Sequence, residues 1–181
     1  MVMRITDTHI YFWGGEYSQW YKSNFTVFIN ETIGWVEFNT AEQYMMFMKA
    51  FTFGDFETMK KLQFMSDPKE CKKLGRQVKN FNEKEWDKVK FDIVVNGNIQ
   101  KFHQNFMLFD KMRFTGNKTF VEGSPYDKIW GVGIKWDDDR ILDEKNWQGQ
   151  NLLGKALGEA RKMLMKLGSP KGTRNFKNRL V

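Results

Sequence analysis

The stretch Thr40-Ala41-Glu42-Gln43-Tyr44 is the first place where this chain offers chemistry. Thr40 followed three residues later by Gln43 has capping-box spacing, so a helix starts at Ala41 and Glu42 takes its second position. Unpaired backbone N–H groups and the positive end of the helix dipole favour an ionised carboxylate there. Lys49, two turns on, returns to the same face. An ordinary first-turn glutamate and a solvated lysine fit the pattern equally well, so the pair gains meaning only from other residues. Ser124-Pro125-Tyr126-Asp127-Lys128-Ile129-Trp130-Gly131-Val132-Gly133 supplies some, with a carboxylate, an indole and two glycines in one short run. Loops of this make-up are suited to ligands, because glycine admits a close backbone approach and tryptophan offers a stacking face. The Gly131-x-Gly133 pair lacks the strand, third glycine and helix of a dinucleotide fingerprint. Gln148-Gly149-Gln150-Asn151 then opens another helix, where Asn151 is placed to cap and the exposed N–H groups make an anion site. Capping and close packing would explain the same residues. Arg76, just past Gly75, reads as a surface cation or as a phosphate clamp. Trp86 and Phe81 occupy the two positions of a hydrophobic staple, which by itself accounts for an indole there.

These pieces share one chemistry. Cleavage of a glycosidic bond through an oxocarbenium-like transition state uses carboxylates near the anomeric carbon, and Glu42 and Asp127 are candidates. A heterocyclic leaving group calls for an aromatic platform, and a sugar phosphate calls for cations and backbone N–H groups. The balance of 29 Lys and Arg against 22 Asp and Glu, a net charge of +7, favours an anionic partner, either a phosphorylated small molecule or nucleic acid. Other chemistries are excluded. One cysteine, Cys71, rules out an intramolecular disulfide framework and a thiolate zinc cage, and two histidines are too few for a His-rich metal centre. No metal and no cofactor are therefore expected.

The elements that must position these residues read as follows. At 181 residues and 41% hydrophobic content, the chain suits one domain with a real core. Its first forty residues read as strand and loop, with a hairpin from Thr26–Ile29 and Trp35–Phe38 across Gly34. Helices follow from Ala41 to about Thr52, after Asp55, from Asp67-Pro68 to Gly75, and from Asn82 towards His103. Thr119 to Val121 reads as a short strand, Gly123 to Asp139 as irregular, and Gln150 to Leu167 as an amphipathic helix. The fold class is α+β, a helix-dominated single domain with a few short strands, spanning 1–167. Residues 168–181 carry four basic residues and no acid, and read as a flexible tail or a salt-sensitive hold on nucleic acid. No apolar run is long enough for a membrane span, and Met1–Ile10 lacks a secretory signal, so a cytoplasmic protein away from membranes is expected.

At these residues the sequence resembles the YbiA/NADAR family of N-glycosidases. The matching pieces run in family order over roughly 10–165: Phe12-Trp13-Gly14-Gly15, Ser18-Gln19-Trp20-Tyr21-Lys22-Ser23-Asn24-Phe25, Thr40 to Tyr44 with Lys49-Ala50, Gly75-Arg76, Trp86, Lys101-Phe102, Ser124 to Gly133, and Trp147 to Leu157. The resemblance implies a compact, mainly helical α+β fold and hydrolysis of N-glycosidic bonds. The implied substrates are phosphorylated riboflavin-pathway intermediates or ADP-ribosylated guanine, including guanine in DNA. It makes Glu42, Trp86 and Asp127 the leading functional residues and gives Lys49 a possible Schiff base to opened ribose. Trp130, Ser18, Gln19, Arg76, Ser124, Gly131, Gly149 and Asn151 are expected to bind substrate. Gln19 stands where many relatives carry the Asn of a Ser-Asn-Phe motif, keeping the amide on a longer arm. A non-catalytic module binding ADP-ribose or modified nucleic acid is the alternative.

Overall fold

A computed structural model describes residues 3–169. The basic tail falls outside the described residues from 170 onward.

Two small sheets frame a helical body. Strands β1 (Met3–Ile5), β2 (His9–Phe12) and β5 (Thr119–Glu122) form one sheet in the order β1-β2-β5, with β1 antiparallel and β5 parallel to β2. Strands β3 (Phe25–Phe28) and β4 (Trp35–Phe38) make an antiparallel hairpin, with Phe25 opposite Phe38 and Val27 opposite Val36. The helices are α1 (Ala41–Thr52), α2 (Phe56–Gln63), α3 (Pro68–Gly75), α4 (Glu83–His103), α5 (Phe106–Phe114) and α6 (Leu152–Leu167).

Capping fixes most of the helix starts. The side chains of Thr40, Asp55, Asp67 and Asn82 accept backbone N–H groups at the heads of α1 to α4. The reciprocal half of the expected capping box reaches one residue further back. The Gln43 side-chain oxygen accepts from the Asn39 N–H at 2.9 Å, while its amide nitrogen donates to the Leu62 carbonyl. One glutamine thus ties β4 and α2 to the head of α1. Helix α5 has no side-chain cap and its apolar residues crowd every face, so the sequence pattern gives no period to read.

Helix α4 lies between α1 and α6, which is why its buried residues, Trp86, Val94, Gly97, Asn98, Lys101 and Phe102, do not keep to one stripe. Gly97 permits the close approach of α1, since a Cβ there would lie 2.6 Å from the Tyr44 ring. Strand alternation splits the core in two. Ile10, Phe12 and Phe120 face the helices, while Tyr11 and Val121 face a smaller cluster with Val132, Ile134 and Ile141. The segment 123–150 has no regular element beyond two single-turn 3-10 helices, Asp139–Leu142 and Glu144–Asn146, yet it covers the outer face of the sheet. Its half-buried Trp147 indole is satisfied by the Ile141 carbonyl at 2.8 Å.

Asn151 joins this segment to the rest. It sits in the left-handed region at φ 52 and does not cap α6 with its side chain. Its amide reaches across to β5 instead, accepting from the Glu122 N–H at 3.1 Å and donating to the Phe120 carbonyl at 2.9 Å. Asn151→Ala leaves both backbone groups without these partners, and should lower unfolding free energy by about 2–4 kcal/mol in urea titrations. Asn151→Gly, which tolerates the backbone angle, should lose nearly as much, because the loss lies in the hydrogen bonds.

Candidate active site

A cavity of about 580 Å³ opens where four segments meet. The head of α1 brings Glu42 and Met45, and α3 brings Lys72. The turn after β2 brings Trp13, Gly14, Ser18, Gln19 and Trp20, and the end of β5 with its following loop brings Glu122, Ser124, Tyr126, Asp127 and Trp130. Both irregular walls are built on side-chain to backbone hydrogen bonds. On one side, the fully buried Lys101 amine donates to the carbonyls of Glu16 and Ser18 at 2.7 and 2.8 Å. Burial pushes the Lys101 pKa down to about 7, against the pull of Glu16. The Glu42 N–H donates to the Gln19 carbonyl, and Asn98 donates to the Gln19 side-chain oxygen at 3.3 Å. On the other side, Asp127 Oδ1 accepts from the N–H groups of Ile129 and Trp130, which folds the loop tightly around its own carboxylate.

The expected residues divide into three sets. Ser18, Gln19, Glu42, Ser124, Asp127 and Trp130 line the cavity together. Lys49 and Trp86 form a second cluster further along α1. The Lys49 amine donates to the Gly75 carbonyl at 2.9 Å, 4.0 Å from the Phe81 ring centre and 5.9 Å from that of Trp86. Burial, with Arg76 nearby, lowers the Lys49 pKa. Arg76, outside the three sets, is exposed, does not line the cavity, and acts electrostatically on both Glu42 and Lys49. Seven residues return a side chain to the same helical face but carry it about 10 Å along the axis. Lys49 therefore does not lie beside Glu42 in the cavity.

Gly131, Gly149 and Asn151 form the third set, behind the cavity wall. The N–H groups of Gln150, Asn151, Leu152 and Leu153 donate to the carbonyls of Lys128, Gly131, Ile129 and Trp130. The head of α6 is thus occupied by the chain's own carbonyls, which corrects the expectation of an open anion site there. Gly149 packs against the Gly131 carbonyl so closely that a side chain would collide with it. These three residues build the wall that presents Trp130 and Asp127.

Glu122, Lys72, Trp13, Trp20 and Tyr126, with Gly14 and Met45, complete the lining but were not among the predicted site residues. Glu122 was within reach of sequence reasoning, because alternation in β5 places it on the same face as Phe120. Lys72 gave no such sign, being one of several lysines on α3. It forms no ion pair among the described residues. Trp13 and Tyr126 stand at the rim, 41% and 86% exposed, with ring centres 6.4 Å apart.

Electrostatics differ from the sequence expectation at Glu42. Its place at the head of a helix does not keep it a strong acid. Burial pushes its pKa up to about 7, against the opposing pull of Lys72, the Trp20 side chain and Arg76, while Asp127 adds to the rise. Burial, with Asp127, likewise pushes Glu122 up to about 8. Among the described residues, no group of His, Cys, Asp and Glu side chains is arranged to hold a metal ion, and no helix is long and apolar enough to cross a membrane.

The sequence matches the NADAR domain family over residues 11–165, and the chain belongs to that family. It is 44% identical over 164 residues to N-glycosidase R617 of Acanthamoeba polyphaga mimivirus, an alignment covering 86% of this chain and 96% of that one. It is 29% identical over 133 residues to N-glycosidase Npun_R5314 of Nostoc punctiforme, covering 74% and 78%. Its fold is that of the NMR structure of the E. coli protein YbiA, with a TM-score of 0.69 at 23% identity over 96% of this chain and 95% of that one.

The raised pKa of Glu42 can be measured directly. A carboxyl-carbon NMR titration should place its midpoint near pH 7. Lys72→Met removes the nearest stabilising cation, so the midpoint should move upward. A midpoint in the ordinary carboxylate range would mean that water reaches the group freely.

Proposed function

We propose that the cavity at the head of α1 hydrolyses the N-glycosidic bond of a ribosyl or ADP-ribosyl nucleotide. The substrates in view are ADP-ribosylated guanine, free or in DNA, and phosphorylated riboflavin-pathway intermediates. At the level of class, the chain is a hydrolase acting on N-glycosyl bonds, as its family membership and its 44%-identical relative support. The observation that carries the finer reading is the convergence of three carboxylates, Glu42, Glu122 and Asp127, on one cavity with an aromatic rim and one cation.

Each part has work in such a reaction. As the bond to the base breaks, positive charge builds on the ribose ring, and a desolvated carboxylate stabilises it more strongly than one in water. Glu42, half ionised near neutral pH, suits that role. Asp127 Oδ1 is engaged by two backbone N–H groups, leaving Oδ2 to accept a ribose hydroxyl. Lys72 pairs with a substrate phosphate, and Trp13, Trp130 and Tyr126 stack on the base, worth about 1–3 kcal/mol per base. DNA carrying the modified guanine would present it at this rim. A binding module without turnover is the second reading. Cations and stacking would suffice for it, whereas three carboxylates lining the cavity, with Glu42 buried, favour catalysis.

The deciding experiment supplies ADP-ribosylated guanine in DNA and, separately, phosphorylated riboflavin-pathway intermediates, and identifies released base and sugar. Free base from either supports the reading; tight binding with no release supports the binding module. Glu42→Gln should lower kcat by at least 100-fold, about 3 kcal/mol of transition-state stabilisation, and turnover within threefold of the parent would remove Glu42 from the chemistry. Borohydride added during turnover should trap no adduct on Lys49, whose amine is engaged outside the cavity. A trapped mass on Lys49 would move the reacting carbon to the Lys49–Trp86 cluster.

A further inference from the structure

Glu122 has a fixed backbone and an unpaired head. Its N–H donates to Asn151 Oδ1 at 3.1 Å, and its carbonyl accepts from the Val132 N–H at 3.0 Å, so the end of β5 cannot swing. Its side chain lines the cavity together with Glu42 and Asp127. Yet Oε2 is shielded from solvent and has no hydrogen-bond partner among the described residues. A buried carboxylate without a donor is far more costly than a carboxylic acid carrying its own proton. No structural hydrogen bond accounts for this oxygen, so the carboxyl group serves no structural pairing among the described residues, and contact with a bound molecule falls to the part of the side chain that lines the cavity.

We propose that Glu122 is a second catalytic residue, the acid that protonates the departing base. The proposal rests on the N-glycosidase reading and assigns the proton that reading leaves open. The electron pair of the breaking C1′–N bond stays with the base nitrogen, and Glu122 delivers its proton to the base. A water molecule then adds to C1′ and gives up a proton to the Glu122 carboxylate, which restores the acid. The net change is one water consumed, with the base leaving as its protonated neutral form and the sugar as a hemiacetal.

The surroundings support a proton held at neutral pH. Burial is the largest influence on Glu122, Asp127 from the following loop and Glu42 from α1 repel its negative form, and Lys72 from α3 attracts it, with the balance at about 8. Burial raises Glu42 as well, to about 7. Carboxyl groups sharing one desolvated cavity hold protons that water-exposed carboxyls would lose at neutral pH, which an acid role requires.

The test uses the full chain and the two probes above, ADP-ribosylated guanine in DNA and phosphorylated riboflavin-pathway intermediates. Wild-type activity should fall as pH rises through about 8. Glu122→Gln should lose about 100-fold or more in kcat, as removal of a general acid does, with little change in KM, and should lose that alkaline limb. Infrared spectra at pH 7 should show a protonated carboxyl stretch that is absent in Glu122→Gln. Glu122→Asp keeps an acid but withdraws it, so it should retain the limb at lower kcat and shift the band. It serves in place of Glu122→Gln if the latter fails to fold. Normal kcat and an unchanged alkaline limb in the variants, or no protonated stretch assignable to Glu122, would overturn the inference and leave the N-glycosidase reading standing. Release of no base by the wild type from either probe would instead end that reading, and this inference with it.

Discussion

Four backbone N–H groups at the head of α6 donate to carbonyls of the 128–131 segment, and much of the site depends on that junction. A helix start exposes N–H groups that must find partners, and here an irregular loop supplies them. The loop gains rigidity that its sequence of Gly, Pro and Asp would not give it alone. Asn151 extends the junction to β5, and Asp127 closes the loop on itself. Trp130, Asp127 and Glu122 are consequently held in place although two of the three stand outside any regular element.

Lys101 does for the opposite wall what α6 does for this one. A buried amine with two carbonyl partners binds the turn carrying Ser18, Gln19 and Trp20 to the long helix α4. It does so from inside the core, where competition from water is weakest. The cavity is therefore a gap between two loops, each anchored to a different face of the helical body. Such an arrangement leaves the exposed rings of Trp13, Trp20 and Tyr126 to meet a substrate first.

The acidity of Glu42 shows two effects in competition. A helix N-terminus favours a carboxylate by about 0.3–1 kcal/mol. Moving the group from its ordinary value of 4.5 to about 7 corresponds to an opposing effect of about 3 kcal/mol, so desolvation wins even with Lys72 nearby. Proximity to a helix end is a local property. Burial belongs to the whole fold, and here it sets the protonation state in which the site meets its substrate.

Local signals were sufficient for much of this protein. Thr40, Asp55, Asp67 and Asn82 each precede a helix they cap, because capping needs only neighbours in the chain, and α1 and α3 begin and end where those residues and Gly75 place them. Glu42, Asp127 and Trp130 were legible because their motifs lie in short, unbroken runs. The parallel pairing of β2 with β5 joins segments more than a hundred residues apart, and no local pattern carries it. Separation along the chain, 83 residues for Lys101 with Ser18 and 29 for Asn151 with Glu122, hides those pairings too. It also hides why Lys49, on the correct helical face, donates to Gly75 rather than joining Glu42. Sequence spacing fixes direction around a helix axis. Which neighbour waits there, and whether water does, is decided only when α3, α4 and the two loops close around it.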